Sequence, residues 1–469
     1  MVQCEKFKRT RMKQFPNDFI WGASTSAYQI EGAYDIDGKG PSIWDAFSSI
    51  PGKIKNGDTG QVSGDHYHRF KEDVALMKQI GIKAYRFSIS WPRVMPAGKG
   101  KANAQGIQFY SALIDELLEA GITPWVTLFH WDLPLALQLE NDGWIGPEIP
   151  DYFAAYADVC FEHFGDRVKN WITLNEPWVM AILGYGLGNF APGRVSNAEP
   201  YRAGHNQLLA HAKAVDVYRK KYGHQGGQIG MANNCDWREP LTDSQKDKDA
   251  AQRALEFFLA WFADPIYFGD YPAVMKQRLG ARLPAFTEAE KELVKGSADY
   301  FGLNHYTTMY VAGATDPNRK STVYGNGGLT EDQDIELSMD KTWKRTTMNW
   351  AVVPWGCRKL LEWIDNRYGR PDIYLTENGS AWNDSKVDGT VADANRIEYF
   401  QGYLGECRKA IEKGVKLKGY FAWSLMDNFE WAHGYSQRFG MIHMDYQSLE
   451  RTMKDSANWY AGVIRDNGV

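Results

Sequence analysis

The chain has 469 residues, of which 24% are charged and 44% apolar, and its formal charge is −5. That is ordinary globular composition, and a net negative chain lacks the basic footprint of a nucleic-acid binder. The apolar runs fall short of membrane-spanning length, so a membrane protein is not expected either.

In chain order, residues 19–25 read as a first strand and 26–32 as a polar loop. Residues 32–64, rich in Gly, Asp and Ser and without periodicity, predict a long loop. Phe70, Val74, Met77 and Gly81 then recur at helical spacing. Residues 84–89 form the next strand, ended by Trp91-Pro92; Phe109, Leu113 and Leu117 mark a helix, and 123–129 form a strand ending at His130-Trp131-Asp132. A helix over 150–165 precedes the strand 171–174, which ends on Asn175-Glu176 before Pro177. A helix near 203–221, a strand at 228–233, helical segments across 247–297 and a strand at 300–306 follow. Residues 307–350 are a second long, polar, aperiodic stretch. Cys357, Leu361, Ile364 and Tyr368 share a helical face ahead of the strand carrying Glu377, and Phe400, Leu404, Cys407 and Ile411 share another. Residues 418–425 give the last strand and 455–466 a closing helix.

Length alone would suggest two or three domains, but α/β barrels with long loops also reach this size as one. Roughly eight strand–helix units without a linker or short repeat predict a parallel sheet, and eight favour closure. No G-x-G-x-x-G opens the first unit, which weighs against a dinucleotide fold. The expectation is one (β/α)8 TIM barrel domain over residues 1–469. Both long loops follow strands and are expected to wall the C-terminal face, where barrel chemistry sits.

Two stretches share one grammar. Thr173-Leu-Asn-Glu-Pro177 and Ile373-Tyr-Leu-Thr-Glu-Asn-Gly379 each place a glutamate at the C-terminal end of an apolar strand. Two such glutamates facing one pocket form the acid/base and nucleophile pair of a retaining glycosidase; either alone is an ordinary strand-end carboxylate. The remaining strand ends offer Gln29, Arg86, His130-Trp131, Asn175, Asn304 with Tyr306, and Trp423 with Glu430-Trp431. Carboxylates, carboxamides and an imidazole pair with sugar hydroxyls, and a site that pairs each one discriminates against a ligand lacking it. The 18 tryptophans supply apolar faces for sugar C–H groups, although many must serve the core.

Six stretches in order resemble glycoside hydrolase family 1, the β-glucosidase family, over essentially the whole chain. They are Phe19-Ile-Trp-Gly-Ala-Ser-Thr-Ser-Ala-Tyr-Gln-Ile-Glu31, Tyr85-Arg-Phe-Ser-Ile-Ser-Trp-Pro-Arg93, Thr127-Leu-Phe-His-Trp-Asp-Leu-Pro134, Thr173-Leu-Asn-Glu-Pro177, Leu375-Thr-Glu-Asn-Gly379 and Trp423-Ser-Leu-Met-Asp-Asn-Phe-Glu-Trp431. The resemblance implies Glu176 as acid/base and Glu377 as nucleophile, with Arg86 and Tyr306 expected to hold the Glu377 pKa down. It implies Gln29, His130, Asn175, Glu430 and Trp431 as the hydroxyl-binding set, Trp423 beneath the sugar ring, Asn304 beside the nucleophile and Trp350 flanking the aglycone. Trp131 and Phe439 are expected in the pocket wall. The implied activity is retaining hydrolysis of β-D-glucosyl residues from cello-oligosaccharides or aryl and alkyl β-glucosides, with β-galactosides and β-fucosides as further substrates. The substrate is a small β-glucoside or cellobiose, without cofactor or metal.

The 6-phospho-β-glycosidase branch resembles this chain less. It grips phosphate with Ser, Lys and Tyr at the positions held here by Glu430, Gln437 and Phe439, and a carboxylate at 430 is expected to repel an anion. Glu176 stands where the plant thioglucosidases of the family commonly carry Gln. Two departures from the family pattern are Cys357, where Leu or another apolar residue is usual, and Met453, where Pro is common. A metal hydrolase has little support, since the two ends of His66-Tyr67-His68 do not share a helical face. A sugar-binding protein without turnover is the other alternative; loss of one glutamate would mark it, and both are present. The five cysteines, Cys4, Cys160, Cys235, Cys357 and Cys407, are odd in number and widely spread, neither a disulfide framework nor a zinc pattern. The basic stretch Met1 to Lys13 lacks the apolar core of a signal peptide. A cytoplasmic location is therefore expected, and a glycan on the sequon Asn378-Gly379-Ser380 would block the pocket.

Overall fold

A computed structural model describes residues 14–314 and 328–469. Eight parallel strands close a barrel: β1 (Ile20–Ser24), β2 (Ala84–Ser88), β3 (Thr123–Phe129), β4 (Asn170–Asn175), β5 (Gln228–Asn234), β6 (Phe301–Asn304), β7 (Ile373–Asn378) and β8 (Leu417–Trp423). Each strand pairs with its sequence neighbours, and β8 closes on β1 with Ile20 opposite Gly419 and Ser24 opposite Trp423. The expected fold is the observed one, with strand ends within two residues of those read from the sequence.

The barrel lumen is a packed core. Ile20, Ala84, Trp125, Ile172, Ala232, Tyr300, Tyr374 and Phe421 form a cluster of their own. The Trp125 ring lies 4.6 Å from Tyr374 and 5.1 Å from Phe421, and the alanines of β2 and β5 leave room for these large rings. Outside, the helices bury the stripes their spacing announced. Phe109, Leu113 and Leu117 are buried on Ala104–Glu119, where Asn103 caps the first turn. On His66–Ile80, Val74 and Met77 are buried, but Gly81 is the stop signal, at φ +84, rather than part of the stripe. His66 there bonds Asp73 and His68 bonds Asp65, so the H-x-H is divided between two carboxylates.

Three loop expectations are corrected. Residues 26–32 contain a buried helical turn, Ala27–Ile30. Residues 32–64 contain the helix Ile43–Ser48, opened by a Ser42/Asp45 capping box that polar composition had obscured. Residues 307–350 contain strands Thr308–Gly313 and Ile335–Ser338, which join Trp237–Pro240 in a three-stranded sheet outside the barrel. Their pairing is nonlocal, so it left no periodic mark on so short a segment. Residues 315–327 of that stretch lie outside the described residues, as do Met1 to Lys13 and Cys4. Among the described residues no helix is long and apolar enough to cross a membrane.

Candidate active site

The C-terminal ends of β2, β4, β6 and β7 converge on one hydrogen-bonded group. Arg86, on β2, is fully buried; its Nη1 donates to Glu377 Oε1 at 2.5 Å and to the Thr376 carbonyl at 3.1 Å. Its Nη2 donates to Asn175 Oδ1 at 2.6 Å, and its Nε to Thr127 Oγ1 at 3.2 Å. The Tyr306 hydroxyl donates to Glu377 Oε2 at 2.6 Å, so both oxygens of Glu377 are held. Asn304 Nδ2 donates to Glu176 Oε1 at 2.7 Å and to Asn175 Oδ1 at 3.0 Å, while its Oδ1 accepts from Thr376 Oγ1. Asn304 thus ties the two glutamate strands together.

The two carboxyls differ in what opposes their charge. Burial, and next the charge of Glu377, push Glu176 well above the ordinary carboxyl range, with only Asn304 and Arg86 pulling back. Burial also raises Glu377, against the expectation of a depressed value; Arg86 and the Tyr306 hydroxyl reduce the rise without reversing it. Glu377 remains the more acidic of the two because the cation is its direct partner.

Local backbone geometry aims these side chains. Glu176, Trp131 and Trp431 take left-handed conformations, at φ +48, +76 and +47. Such positions cost a bulky residue about 1–3 kcal/mol each and persist where the surroundings over-determine them. The Glu176 N–H donates to the Ala232 carbonyl of β5 (2.8 Å), and Trp131 Nε1 to the Asn175 carbonyl (2.9 Å). Behind β7, Gly379 lets the chains meet: a Cβ there would lie 1.6 Å from the Trp423 carbonyl oxygen.

The rest of the expected set gathers around this centre. Arg86 and Asn304 fix the orientation of the Asn175 amide, whose Nδ2 sits 3.0 Å from His130 Nε2. That nitrogen must then accept, which puts the imidazole proton on Nδ1, a buried atom with no partner among the described residues. Burial, and secondarily Arg86, hold His130 well below its usual pKa, so the ring is neutral. The imidazole lies nearly parallel to both Trp423 (5.9 Å, 19°) and Trp431 (5.9 Å, 16°). Trp431 packs in turn on Trp131 (4.5 Å) and Trp44 (4.6 Å), which makes Trp131 part of an aromatic wall. Trp423, Phe439 and Ala381 form a second apolar patch with Tyr306, Met348 and the half-buried Trp350.

Two expected residues behave differently from the sequence reading. Gln29 is fully buried and its amide is bonded within the protein: Nε2 donates to Asn428 Oδ1 and the Phe429 carbonyl, and Oε1 accepts from Ser26. One lone pair of Oε1 remains for a ligand. Glu430 has a buried Oε2 without a partner among the described residues, and burial, then Glu377, push its carboxyl up to about 8. A carboxyl raised that far carries little charge at neutral pH, which weakens the repulsion of an anion expected at position 430. Two side chains near it are already engaged within the protein. Gln437 Oε1 accepts from Thr347, and Arg438 is held by Asp427 and the Met444 carbonyl.

Sequence reasoning passed over Thr127, Thr376, Asn428 and Asn378. The first two sit within strands where their hydroxyls looked like β-propensity alone. Asn378 carries the sequon, but its Nδ2 donates to the His305 carbonyl (2.6 Å) and to the Tyr399 hydroxyl (3.0 Å), so the folded chain does not present it for modification. The four described cysteines are free and buried, and no cluster of three or more metal-ligating side chains occurs among the described residues.

This geometry agrees with what the chain is similar to. The β-glucosidase 4 of Oryza sativa subsp. japonica is 48% identical over 96% of this chain and 95% of its own length. A 1,4-β-D-glucan glucohydrolase of Thermotoga neapolitana is 45% identical over 98% of this chain and all of its own. Among solved structures, a Thermotoga maritima family 1 glycoside hydrolase complexed with a cyclophellitol-analogue transition-state mimic superposes with a TM-score of 0.91 at 46% identity, covering 98% of this chain and 99% of that one. The model of glycosyl hydrolase family 1 matches residues 11–469, and the chain belongs to that family.

Proposed function

We propose that this protein is a retaining β-glucosidase that releases terminal non-reducing β-D-glucosyl residues by double displacement. Its substrates are cello-oligosaccharides and aryl or alkyl β-glucosides, with β-galactosides and β-fucosides turned over as well. The observation that carries this reading is the unequal pair: Glu377 is gripped at both oxygens by Arg86 and Tyr306, while the more basic Glu176 meets, among the described residues, the Asn304 amide alone. Glu377, ionised, attacks the anomeric carbon as its bond to the aglycone oxygen breaks, and Glu176 gives its proton to that oxygen. Once Glu377 is esterified its charge is gone, which lowers the proton affinity of Glu176. Glu176 then takes a proton from water, whose oxygen attacks the anomeric carbon and expels Glu377 as a carboxylate. One residue serves as acid and then as base.

The free donor of His130 and the free acceptor of Glu430 suit vicinal hydroxyls, and the Trp423 face suits the C–H side of a pyranose. The names of the relatives support β-glucosides, and that of the Thermotoga neapolitana enzyme supports β-1,4-linked glucose chains. Transglycosylation is a variant of the same chemistry, with a second sugar replacing water.

The test is a rate panel on p-nitrophenyl β-glucoside, β-galactoside, β-fucoside, α-glucoside and 6-phospho-β-glucoside, with the product anomer followed by proton NMR. Fast β-glucoside cleavage giving β-glucose first, and silence on the α and phospho substrates, is the expected result. α-Glucose as first product would overturn double displacement; silence on all five would favour a binding protein.

A further inference from the structure

Behind the candidate nucleophile lies a second layer that none of the roles above uses. The Tyr306 carbonyl accepts two hydrogen bonds, from the hydroxyls of Tyr399 and Tyr403, each at 3.0 Å. Both tyrosines are buried on one face of the helix Ala394–Glu412, a turn apart, with ring centroids 4.1 Å from each other. The Tyr399 hydroxyl accepts from Asn378 Nδ2, and the same nitrogen donates to the His305 carbonyl. Tyr420 donates to Asn378 Oδ1 at 2.7 Å, and the Tyr403 hydroxyl accepts from the Val353 N–H at 3.3 Å. The segment 305–306 is thus clamped at two successive carbonyls by groups anchored in β7, β8 and the outer helix. A surface loop does not require this investment; a side chain that must hold one position does.

We propose that Tyr399 and Tyr403 are positioning residues of the active centre, which fix the Tyr306 backbone and through it the phenol that bonds Glu377. The inference rests on the reading of Glu377 as nucleophile, but its structural claim concerns only the Tyr306–Glu377 hydrogen bond. The groups facing Glu377 are Arg86 on β2, Glu176 after β4, Tyr306 after β6 and Glu430 after β8. Those facing the clamp are His305, whose ring lies 5.9 Å from that of Tyr403, and Tyr420, Cys357 and Asp236. A phenol that swings away removes a donor from the Glu377 carboxylate and leaves the other charges in place, so the carboxyl becomes harder to ionise.

The experiment compares wild type, Tyr399→Phe, Tyr403→Phe, the double variant, and each of these combined with Tyr306→Phe. The Glu377 titration is read by NMR of Cδ-labelled glutamate, assigned with Glu377→Gln, beside the acid limb of kcat/KM. In the double variant both midpoints should rise by roughly 0.5–1 pH unit, approaching Tyr306→Phe, with kcat/KM down on the order of ten-fold. Each single variant should move less, because the other hydroxyl still meets the carbonyl. In the Tyr306→Phe background none of the clamp changes should move the midpoint further. An unmoved midpoint in a folded double variant, or an equal shift with and without Tyr306, overturns the proposal. Should the double variant not fold, the single variants in the two backgrounds decide in the same way. The NMR titration needs no turnover, so failure of the β-glucosidase reading in the rate panel is distinguishable from failure of the clamp.

Discussion

Asp427 and Glu430 lie three residues apart on the rim after β8, both buried, and burial has opposite outcomes for them. Asp427 accepts from Lys454 Nζ at 2.8 Å, Arg438 Nη1 at 2.6 Å and the Gly440 N–H at 3.0 Å. Lys454 and Arg396 also share Asp384, at 2.6 and 2.7 Å. Burial pushes Asp427 up, but Lys454, Arg438 and Arg396 outweigh it, and the carboxyl ends below its ordinary range. Glu430 has no cation beside it among the described residues and rises to about 8. Burial therefore yields a structural ion pair in one place and an unsatisfied, protonatable acceptor in the other. The candidate catalytic glutamates belong with Glu430: what marks the site is charge left partly unopposed.

The largest effect expected on the unopposed side is at Glu377. Glu377→Ala should lower kcat about 10⁴-fold or more, with azide restoring turnover and giving a product of inverted anomeric configuration. Activity near wild type, with no response to azide, would remove Glu377 from the mechanism. Next comes Glu176→Ala, whose first-step rate should fall about 10²–10⁴-fold for poor leaving groups and far less for dinitrophenolate. A uniform loss across a leaving-group series counts against proton donation.

The paired side is tested through stability. Asp427→Ala takes from buried Lys454 one of its two carboxylates and from Arg438 its ion-pair partner, and should cost about 3–5 kcal/mol, read as a shift in the urea midpoint. Glu430→Gln, which breaks no pair, should not lower the midpoint at pH 6 and should raise it, since the raised carboxyl is already a liability there. Equal losses at both positions would erase the contrast.

The smallest effect sharpens it through pH. Glu430 has a higher pKa folded than unfolded, so its stabilisation is fully present below the unfolded value of about 4.3 and is lost as pH rises through about 8. Asp427 has the reverse sign: its contribution is present above its unfolded value of about 3.9 and is lost as pH falls through its depressed folded value. Between pH 5 and 9, wild type should therefore lose up to a few kcal/mol relative to Glu430→Gln, measured by urea unfolding at each pH. A flat difference would mean that Glu430 is already ionised at neutral pH.

Much of this molecule was readable from its residues. Strand–helix alternation is local, since each strand is a short apolar run and each helix a stripe at spacing 3.6. The barrel followed from eight such units. The placement of Glu176 and Glu377 at one rim followed from both closing a strand. Residues such as Arg86, His130 and Tyr306 were legible because polar groups at the ends of apolar strands stand out against their surroundings.

What the sequence could not decide was everything set by neighbours distant in the chain. Whether a buried carboxyl is raised or lowered depends on cations brought from elsewhere: Lys454 reaches Asp427 across 27 positions, Arg86 reaches Glu377 across 291, and none of the described residues reaches Glu430 Oε2. The internal bonding of Gln29, the left-handed backbone at Glu176, Trp131 and Trp431, and the Tyr399–Tyr403 clamp are of the same kind. Local pattern determines which elements form, because their periodicity is written in adjacent residues. The protonation and aim of the site are tertiary, because charge and hydrogen bonding act through space and are strongest where burial removes the water that would screen them.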